Sequence, residues 1–272
     1  MQNPPLPSPD LNDDELAVAL AQGAGEVLLS LREQAATDIK AGAPYEPKKL
    51  KDAGDAASQQ WLAAALSNAR PNDAVLSEEA ADNPARLISE RVWIIDPLDG
   101  TREFSEWDAD TDQWRDDFAV HIALWQRDKG LTHGAVGLPA RDQIFSSASV
   151  QAPTATVATD APVRVAASRT RPPAFIADLA DAGHIALVPM GSAGVKVISV
   201  VEGTTDAYLH GGGQYEWDSA APVAVAQAAG LVATKLDGSP LTYNNENPWS
   251  PDLFVTRPDI APRVRALVDA SA

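Results

Sequence analysis

The segment Asp96-Pro97-Leu98-Asp99-Gly100-Thr101 places two carboxylates three residues apart, at the end of an apolar run and across a Pro-bearing turn. At that spacing both can converge on one point, and the Leu98 carbonyl can face the same way. Hard oxygen donors at a fixed turn suit magnesium, which takes near-octahedral oxygen coordination and keeps waters for a substrate to displace. Gly100 and Thr101 leave backbone N–H groups free at what reads as a helix start, a natural cradle for phosphate. The same residues also fit an ordinary Asx-turn after a strand, with Asp99-Gly100 as plain turn chemistry.

Two further acids bear on that choice. Glu78 closes the short apolar run Ala74-Val75-Leu76-Ser77 and sits beside Asp96 if the two strands are neighbours. Glu79 would point elsewhere, as a solvated or loop-pairing acid. Far downstream, Asp218 in Trp217-Asp218-Ser219-Ala220-Ala221 precedes an Ala-rich apolar helix. Asp caps helices well, by roughly 1 kcal/mol, and capping orients its carboxylate, so cap and ligand are compatible roles.

The elements that must position these acids follow from periodicity. Leu16, Leu20, Ala24, Val27, Leu28 and Leu31 predict a helix from Asp13 to Arg32, capped by Asn12 or Asp13. A loop from Ala41 to Asp52, carrying Lys48, Lys49 and Lys51, leads to a second helix from Asp55 to about Asn68 that buries Trp61, Leu62 and Leu66. Ala74–Ser77 and Arg91–Asp96 read as buried strands, the second stopping at Pro97. Ser105 to Asp116, polar and acidic with Trp107 and Trp114, reads as a mobile loop. Strands over 117–125, 131–138 and 143–148 suggest an antiparallel meander.

The Ala/Thr/Pro-rich stretch Gln151 to Pro162 marks a boundary between an α+β subdomain over 11–152, which carries the metal motif, and an α/β subdomain over 153–272. In the latter, strands at 163–167, 185–189, 206–209, 231–236 and 252–256 are interleaved with helices near 173–182, Ser192–Val201 and 218–229. No solenoid repeat is visible.

Bulk composition narrows the function classes. The chain has 272 residues, with 38 Asp plus Glu against 21 Lys plus Arg, for a formal net charge of -17. Such a surface repels nucleic acid, and no basic run offsets it. A phosphate substrate must therefore be held by something other than net charge, which a divalent cation would supply. With no cysteine there is no thiolate nucleophile, disulfide or thiolate metal site. Residues 1–10 are Pro-rich, lack the plan of a signal peptide and read as a disordered lead-in. No apolar run is long enough for a bilayer. A soluble, cytoplasmic protein without nucleic-acid or membrane partners is expected.

Three blocks in order, Ser77-Glu78-Glu79, then Asp96–Thr101 with Glu103-Phe104, then Trp217-Asp218, make the chain resemble the inositol monophosphatase superfamily. That superfamily also contains fructose bisphosphatases and 3′(2′),5′-bisphosphate nucleotidases. The resemblance runs from the Asp55 helix to the final strand, and it implies a layered αβαβα sandwich of mixed α+β and α/β character. Inositol phosphatases usually continue with a Thr-Asn-Phe type segment, whereas Arg102-Glu103-Phe104 is similar to the nucleotidase branch. Gly191-Ser192-Ala193-Gly194 with Lys196, and Leu236 to Tyr243, also fit that branch, and its mycobacterial CysQ-type members above all. The resemblance implies a lithium-sensitive type of phosphomonoesterase of sulfur metabolism, acting on 3′-phosphoadenosine 5′-phosphate (PAP) to give AMP, and a homodimer. Ser105–Asp116 is longer and more acidic than in the broader family, and Gly211-Gly212-Gly213 lies where the family varies by substrate.

Carried over by motif, Glu78, Asp96 and the Leu98 carbonyl would bind one magnesium, and Asp96, Asp99 and Asp218 a second. Thr101 and Glu78 would orient and deprotonate the attacking water. Asp55 would assist through a third metal or the water network, with a helix cap as its competing role. Substrate contacts would come from Leu98, Asp99, Gly100, Thr101, Ser192 and Asp218, with Lys196 on the substrate phosphate, Arg102 on the second phosphate and His210 near the pocket. His121, His133 and His184 are read as structural, and Trp217 as packing. The rival readings are an inositol or fructose-1,6-bisphosphate phosphatase of the same fold, a non-catalytic metal- or nucleotide-binding regulator, and an acidic interaction protein.

Overall fold

Two long helices open the chain in the computed structural model, which describes residues 3–154, 161–170 and 172–270. Helix α1 (Asp13–Lys40) starts with a capping box: Asn12 accepts the Glu15 N–H, and Glu15 accepts the Asn12 N–H, both at 3.0 Å. It runs past the expected Arg32 because no Gly or Pro lies between Arg32 and Gly42, whose φ is +87°. Helix α2 (Pro47–Ala69) begins eight residues before the expected Asp55, since Pro47 occupies a first-turn position where its missing N–H costs nothing. Lys48, Lys49 and Lys51 therefore lie on a helix, not in a loop. Residues before α1 run along α2, where Trp61 Nε1–H donates to the Pro4 carbonyl (3.0 Å) and Arg70 to that of Pro9 (3.2 Å).

The first sheet has the order β1-β2-β5-β6-β7. Strand β1 (Ala74–Ser77) lies parallel to β2 (Arg91–Asp99), with Ser77 opposite Ile95. Continued by one residue, that register brings Glu78 alongside Asp96. Beyond the one-turn helix α3 (Thr101–Phe104), the expected mobile loop holds a small ribbon, β3 (Trp107–Asp108) paired with β4 (Gln113–Trp114). Tyr45 packs edge-on to both tryptophans, and buried Arg32 donates to the carbonyls of Phe104, Glu103 and Arg115. Then β5 (Ala119–Gln126), β6 (Gly130–Leu138) and β7 (Gln143–Ser146) form the expected meander, with His121 paired to Asp96 across β2 and β5.

Of the Gln151–Pro162 boundary, residues 155–160 lie outside the described residues. Past it come β8 (Val163–Ser168), α4 (Ala174–Asp181), β9 (Ile185–Met190), α5 (Ala193–Val201), β10 (Ala207–Tyr215), α6 (Glu216–Ala228), β11 (Val232–Thr234) and β12 (Trp249–Thr256). A final amphipathic helix, α7 (Ala261–Ala270), goes beyond the sequence-based expectation. The second sheet is ordered β11-β12-β10-β8-β9, and β10 carries an irregularity between Gly211 and Gln214, where the glycine run sits.

Alternation along β2 shows how the layers stack. Trp93 and Ile95 face α1 and α2, packed with Leu20, Leu28 and Leu62. Val92 and Ile94 face the other way, onto Val197 and Ile198 of α5 and Ala221 and Val225 of α6, which in turn meet Tyr208 and Val255 of the second sheet. The outer face of that sheet, with Val165, Leu209 and Phe254, is covered by Ile176 of α4 and Val264 of α7. The result is an αβαβα sandwich whose middle layer, α5 and α6, lies between the sheets and delivers Asp218 to the turn after β2.

Gly23 shows how closely α1 and α2 approach. A Cβ there would lie 2.1 Å from the Trp61 ring. Gly to Ala in a helix ordinarily stabilises by up to about 1 kcal/mol, whereas overpacking a filled core costs about 1–3 kcal/mol. Gly23→Ala is expected to lower the unfolding free energy by about 1–2 kcal/mol in urea titrations; a stabilised variant would show that the helices separate easily.

Candidate active site

Asp96, Asp99 and Asp218 each use one oxygen to hold their place, and among the described residues the other oxygen of each has no hydrogen bond. Asp96 is 1% exposed; its Oδ1 accepts the Leu98 N–H at 3.0 Å, while its Oδ2 has no hydrogen-bond partner. Asp99 Oδ2 accepts the Ser192 hydroxyl and the Gly194 N–H (2.9 Å), and His121 Nε2 lies 3.2 Å from it. Asp218 Oδ2 accepts the Tyr215 N–H at 2.6 Å. Asp218 is thus the third residue of α6, reaching back to its cap residue Tyr215, rather than the residue just before the helix. One oxygen from each of Asp96, Asp99 and Asp218 lies within 4.8 Å of the others. A buried carboxylate oxygen without a partner, facing two more acids, is what a divalent cation would satisfy.

The electrostatics demand the same thing. Burial, then the charges of Asp99, Glu78 and Asp218, push the Asp96 carboxyl well above its ordinary range. Glu78, whose residue surface is exposed and which is not one of the three clustered Asp, has a carboxyl raised to about 7 by partial burial and then by Asp218, Asp99 and Glu79. Asp218 rises to about 6 through burial and Asp99. For Asp99 burial acts upward too, but His121, the Ser192 hydroxyl and the Gly194 N–H outweigh it and take it down to about 2. Asp55, half-buried on α2, is raised to about 6 by burial and by Glu79 and Asp52. Its helix is tied to the turn by the Ser58 hydroxyl, which donates to the Pro97 carbonyl at 2.7 Å.

Other candidate residues divide into those beside the acids and those engaged elsewhere. The Thr101 hydroxyl donates to the Leu98 carbonyl at 3.2 Å, while the Leu98 side chain is core. Gly100 takes φ +82° in a tight spot: a Cβ would meet Ser192 Cβ at 3.2 Å and the Asp117 carbonyl at 3.3 Å. Ser192 caps α5 with φ +49°, a conformation a serine rarely adopts, and its Oγ accepts the Val195 N–H at 3.1 Å. Lys196 is buried on α5, its ammonium 5.3 Å over the Tyr208 ring, with no hydrogen bond or ion pair among the described residues. Burial lowers its pKa, against the pull of Asp99, Glu103, Asp218 and Asp117. Arg102 is exposed, and its guanidinium has no hydrogen bond or ion pair among the described residues. His210 is occupied with the Gly213 carbonyl at 2.9 Å, bracing the irregular part of β10.

Sequence reasoning missed two groups. His121 was read as structural, yet its ring lies against Asp99 and its Nδ1 is 3.1 Å from the Trp217 carbonyl. Its only signal is a polar residue in the middle of an otherwise apolar strand. Arg169 joins Glu103 (3.2 Å) to Asp117, and Asp117 also accepts the Gly191 N–H at 2.7 Å. That network anchors the turn before α5, and nothing local in the sequence announces it.

The model of the Inositol monophosphatase family matches residues 12–267. The chain belongs to that family. It is 48% identical to the 3′-phosphoadenosine 5′-phosphate phosphatase of Mycobacterium leprae over 93% of this chain and 92% of that one. With the protein of the same name from Mycobacterium bovis it shares 46% identity over 97% of each chain. The crystal structure of CysQ from Bacteroides thetaiotaomicron, a bacterial member of the family, superposes with a TM-score of 0.68 at 26% identity, covering 89% of this chain and 96% of that one. The αβαβα sandwich expected from the motifs is the fold observed. Among the described residues no helix is long and apolar enough to cross a membrane.

Within this metal-dependent family, the raised carboxyls make a signed prediction. Without a cation, the folded state binds protons at Glu78 and Asp218 that the unfolded chain releases, so stability falls as pH rises from about 4 through about 7. A cation replaces those protons. Stabilisation by magnesium, measured as Tm with the metal minus Tm with EDTA, should therefore grow from pH 5 to pH 7.5. A difference that shrinks with pH would mean the acids do not share a cation.

Proposed function

We propose that this chain is a magnesium-dependent phosphomonoesterase that removes the 3′-phosphate of PAP, consuming one water and giving AMP and inorganic phosphate. The 46–48% identity to proteins named for that activity, over nearly their whole length, carries the reading. Glu78, Asp96 and the Leu98 carbonyl would hold one magnesium, Asp96, Asp99 and Asp218 a second, and Asp55 would serve a third or the water around it. Bound there, the ions supply polarisation of the phosphoryl oxygens, an acidified water and charge neutralisation of the leaving oxygen.

The side chains do the rest. Glu78, placed by β1 beside the Asp cluster, would take the proton from the attacking water as general base. The Thr101 hydroxyl spends its proton on the Leu98 carbonyl, which leaves its oxygen to accept from that water. Free N–H groups at Gly100 and Thr101 receive the phosphate. Lys196 meets the anionic ligand from α5, Arg102 meets the second phosphate, and Ser192 and His210 border the substrate. The family resemblance supports a homodimer working in the cytoplasm.

Phosphate release from PAP, inositol 1-phosphate and fructose 1,6-bisphosphate, assayed with magnesium and with EDTA, tests the reading. PAP should be preferred, the activity should vanish in EDTA, and Asp96→Asn should lower kcat by at least about 100-fold, the order expected for losing a central electrostatic contact. Preference for inositol 1-phosphate or fructose 1,6-bisphosphate would overturn the substrate, and activity surviving EDTA would overturn the chemistry. For the cations, Lys196→Met should raise KM for PAP by about tenfold with the fold intact by circular dichroism; an unchanged KM would remove Lys196 from the substrate site.

A further inference from the structure

His121 occupies a position that the proposed chemistry leaves unused. It is fully buried on β5, paired in register with Asp96. Its Nε2 lies 3.2 Å from Asp99 Oδ2, a close approach without hydrogen-bond geometry, and among the described residues Nε2 has no hydrogen-bond partner. Its Nδ1 lies 3.1 Å from the backbone carbonyl of Trp217, the residue before Asp218. Nδ1 is also 4.0 Å from Asp96 Oδ2. One ring thus touches the sheet turn that carries Asp99 and the helix start that carries Asp218.

The surroundings are shaped to admit that ring. Gly194, whose N–H also binds Asp99 Oδ2, would put a Cβ 2.1 Å from Nε2 if it were any other residue. Glycine in the first turn of α5 gives up helix propensity, and here its missing side chain is the space His121 needs. The Ser192 hydroxyl and the Gly194 N–H donate to Oδ2 and the His121 ring lies against it, so that oxygen is occupied and Oδ1 of Asp99 is the one left for a cation.

From this geometry we infer that His121 is a positioning residue of the metal centre: it fixes Asp99 as a one-oxygen ligand through Oδ1 and sets the separation between Asp99 and Asp218. Carboxylates are versatile ligands that can bind with one oxygen or two, so a group that occupies the second oxygen determines how many positions remain for water and substrate. The inference rests on the reading that Asp99 ligates the metal. It adds that the ligand's geometry is imposed from behind by a residue that touches neither metal nor substrate.

Direct magnesium and manganese titrations by calorimetry, on the full chain, separate the possibilities. Gln at position 121 can carry an N–H to the place of Nε2, whereas Asn reaches only the place of Nδ1. His121→Gln should bind metal within about threefold of wild type, and His121→Asn should lose about 10- to 100-fold, the cost seen when a partner of a metal ligand is removed. Asp99→Asn should lose more than either. Should His121→Asn not fold, Gly194→Ala tests the same contact, because its methyl must push the ring away from Asp99, and a comparable loss is expected. Equal affinities for wild type and His121→Asn, with only Tm lowered, would show a merely structural histidine and overturn the inference while leaving the metal site standing. Equal losses for the Gln and Asn variants would overturn it as well. Undiminished binding by Asp99→Asn would overturn both this inference and the metal-site reading on which it rests.

Discussion

Mutual repulsion among acids gathered from distant parts of the chain sets the terms for this structure. Asp96 and Asp99 come from the end of β2, Glu78 from the end of β1 and Asp218 from the first turn of α6. Two like charges at the 4.8 Å that bounds the Asp cluster repel by about 3–4 kcal/mol at an effective dielectric of about 20. Three such pairs come to roughly the whole stability of a domain. The fold offsets this locally, since Leu98, Gly194 and Tyr215 each give a backbone N–H to one of the three Asp carboxylates. What those bonds do not offset is left to protons or to a cation, which is why the carboxyls of Glu78, Asp96 and Asp218 are all pushed upward.

Close packing follows from that need for fixed positions. Helices α5 and α6 lie between the sheets, so the starts of both are held by layers on either side. Contact at Gly134, where a Cβ would approach Ala224 at 2.6 Å, draws α6 onto the first sheet. At Gly191 a Cβ would strike the Glu103 carboxyl at 2.3 Å, so the turn into α5 can close over the Arg169 network. Small residues at these points are tolerances of the active site as much as features of the core.

Much of this was legible because the signals are local. The apolar run ending in Asp-Pro-Leu-Asp-Gly gave both β2 and two of its acids, and the parallel register of β1 on β2, continued one residue past Ser77, brings Glu78 alongside Asp96. Residue type narrowed the first cap to Asn12 or Asp13, and Asn12 is the one that caps. What escaped depends on pairings across the sequence. His121 and Trp217 are 96 residues apart, and Arg169 and Asp117 are 52 apart. No periodicity encodes such contacts, so His121 looked like any scattered histidine. The ribbon over 107–114 was hidden for a related reason: its order comes from Tyr45 and Arg32, far back in the chain, and not from its own polar residues. Helix α2 was shortened for the opposite cause, because a lysine-rich start looks like a loop when its Pro is taken as a breaker and not as a first-turn residue.

Substrate choice within a family that shares a metal centre must be written outside that centre. The acids can handle any phosphate monoester, so they do not distinguish a nucleotide from a sugar phosphate. A buried ammonium without an ion-pair partner is costly to desolvate, and Lys196 is held in that condition by the ring of Tyr208 and the diffuse field of four carboxylates. Arg102, one residue past the phosphate cradle, projects an unpaired guanidinium from an otherwise strongly acidic chain. On the proposed reading Lys196 meets the phosphate held at the acids, which leaves Arg102 for a further anionic group. A second phosphate would be that group on the same reading; it separates a nucleoside bisphosphate from an inositol monophosphate, while a fructose bisphosphate must be told apart by the shape of the rest of the ligand.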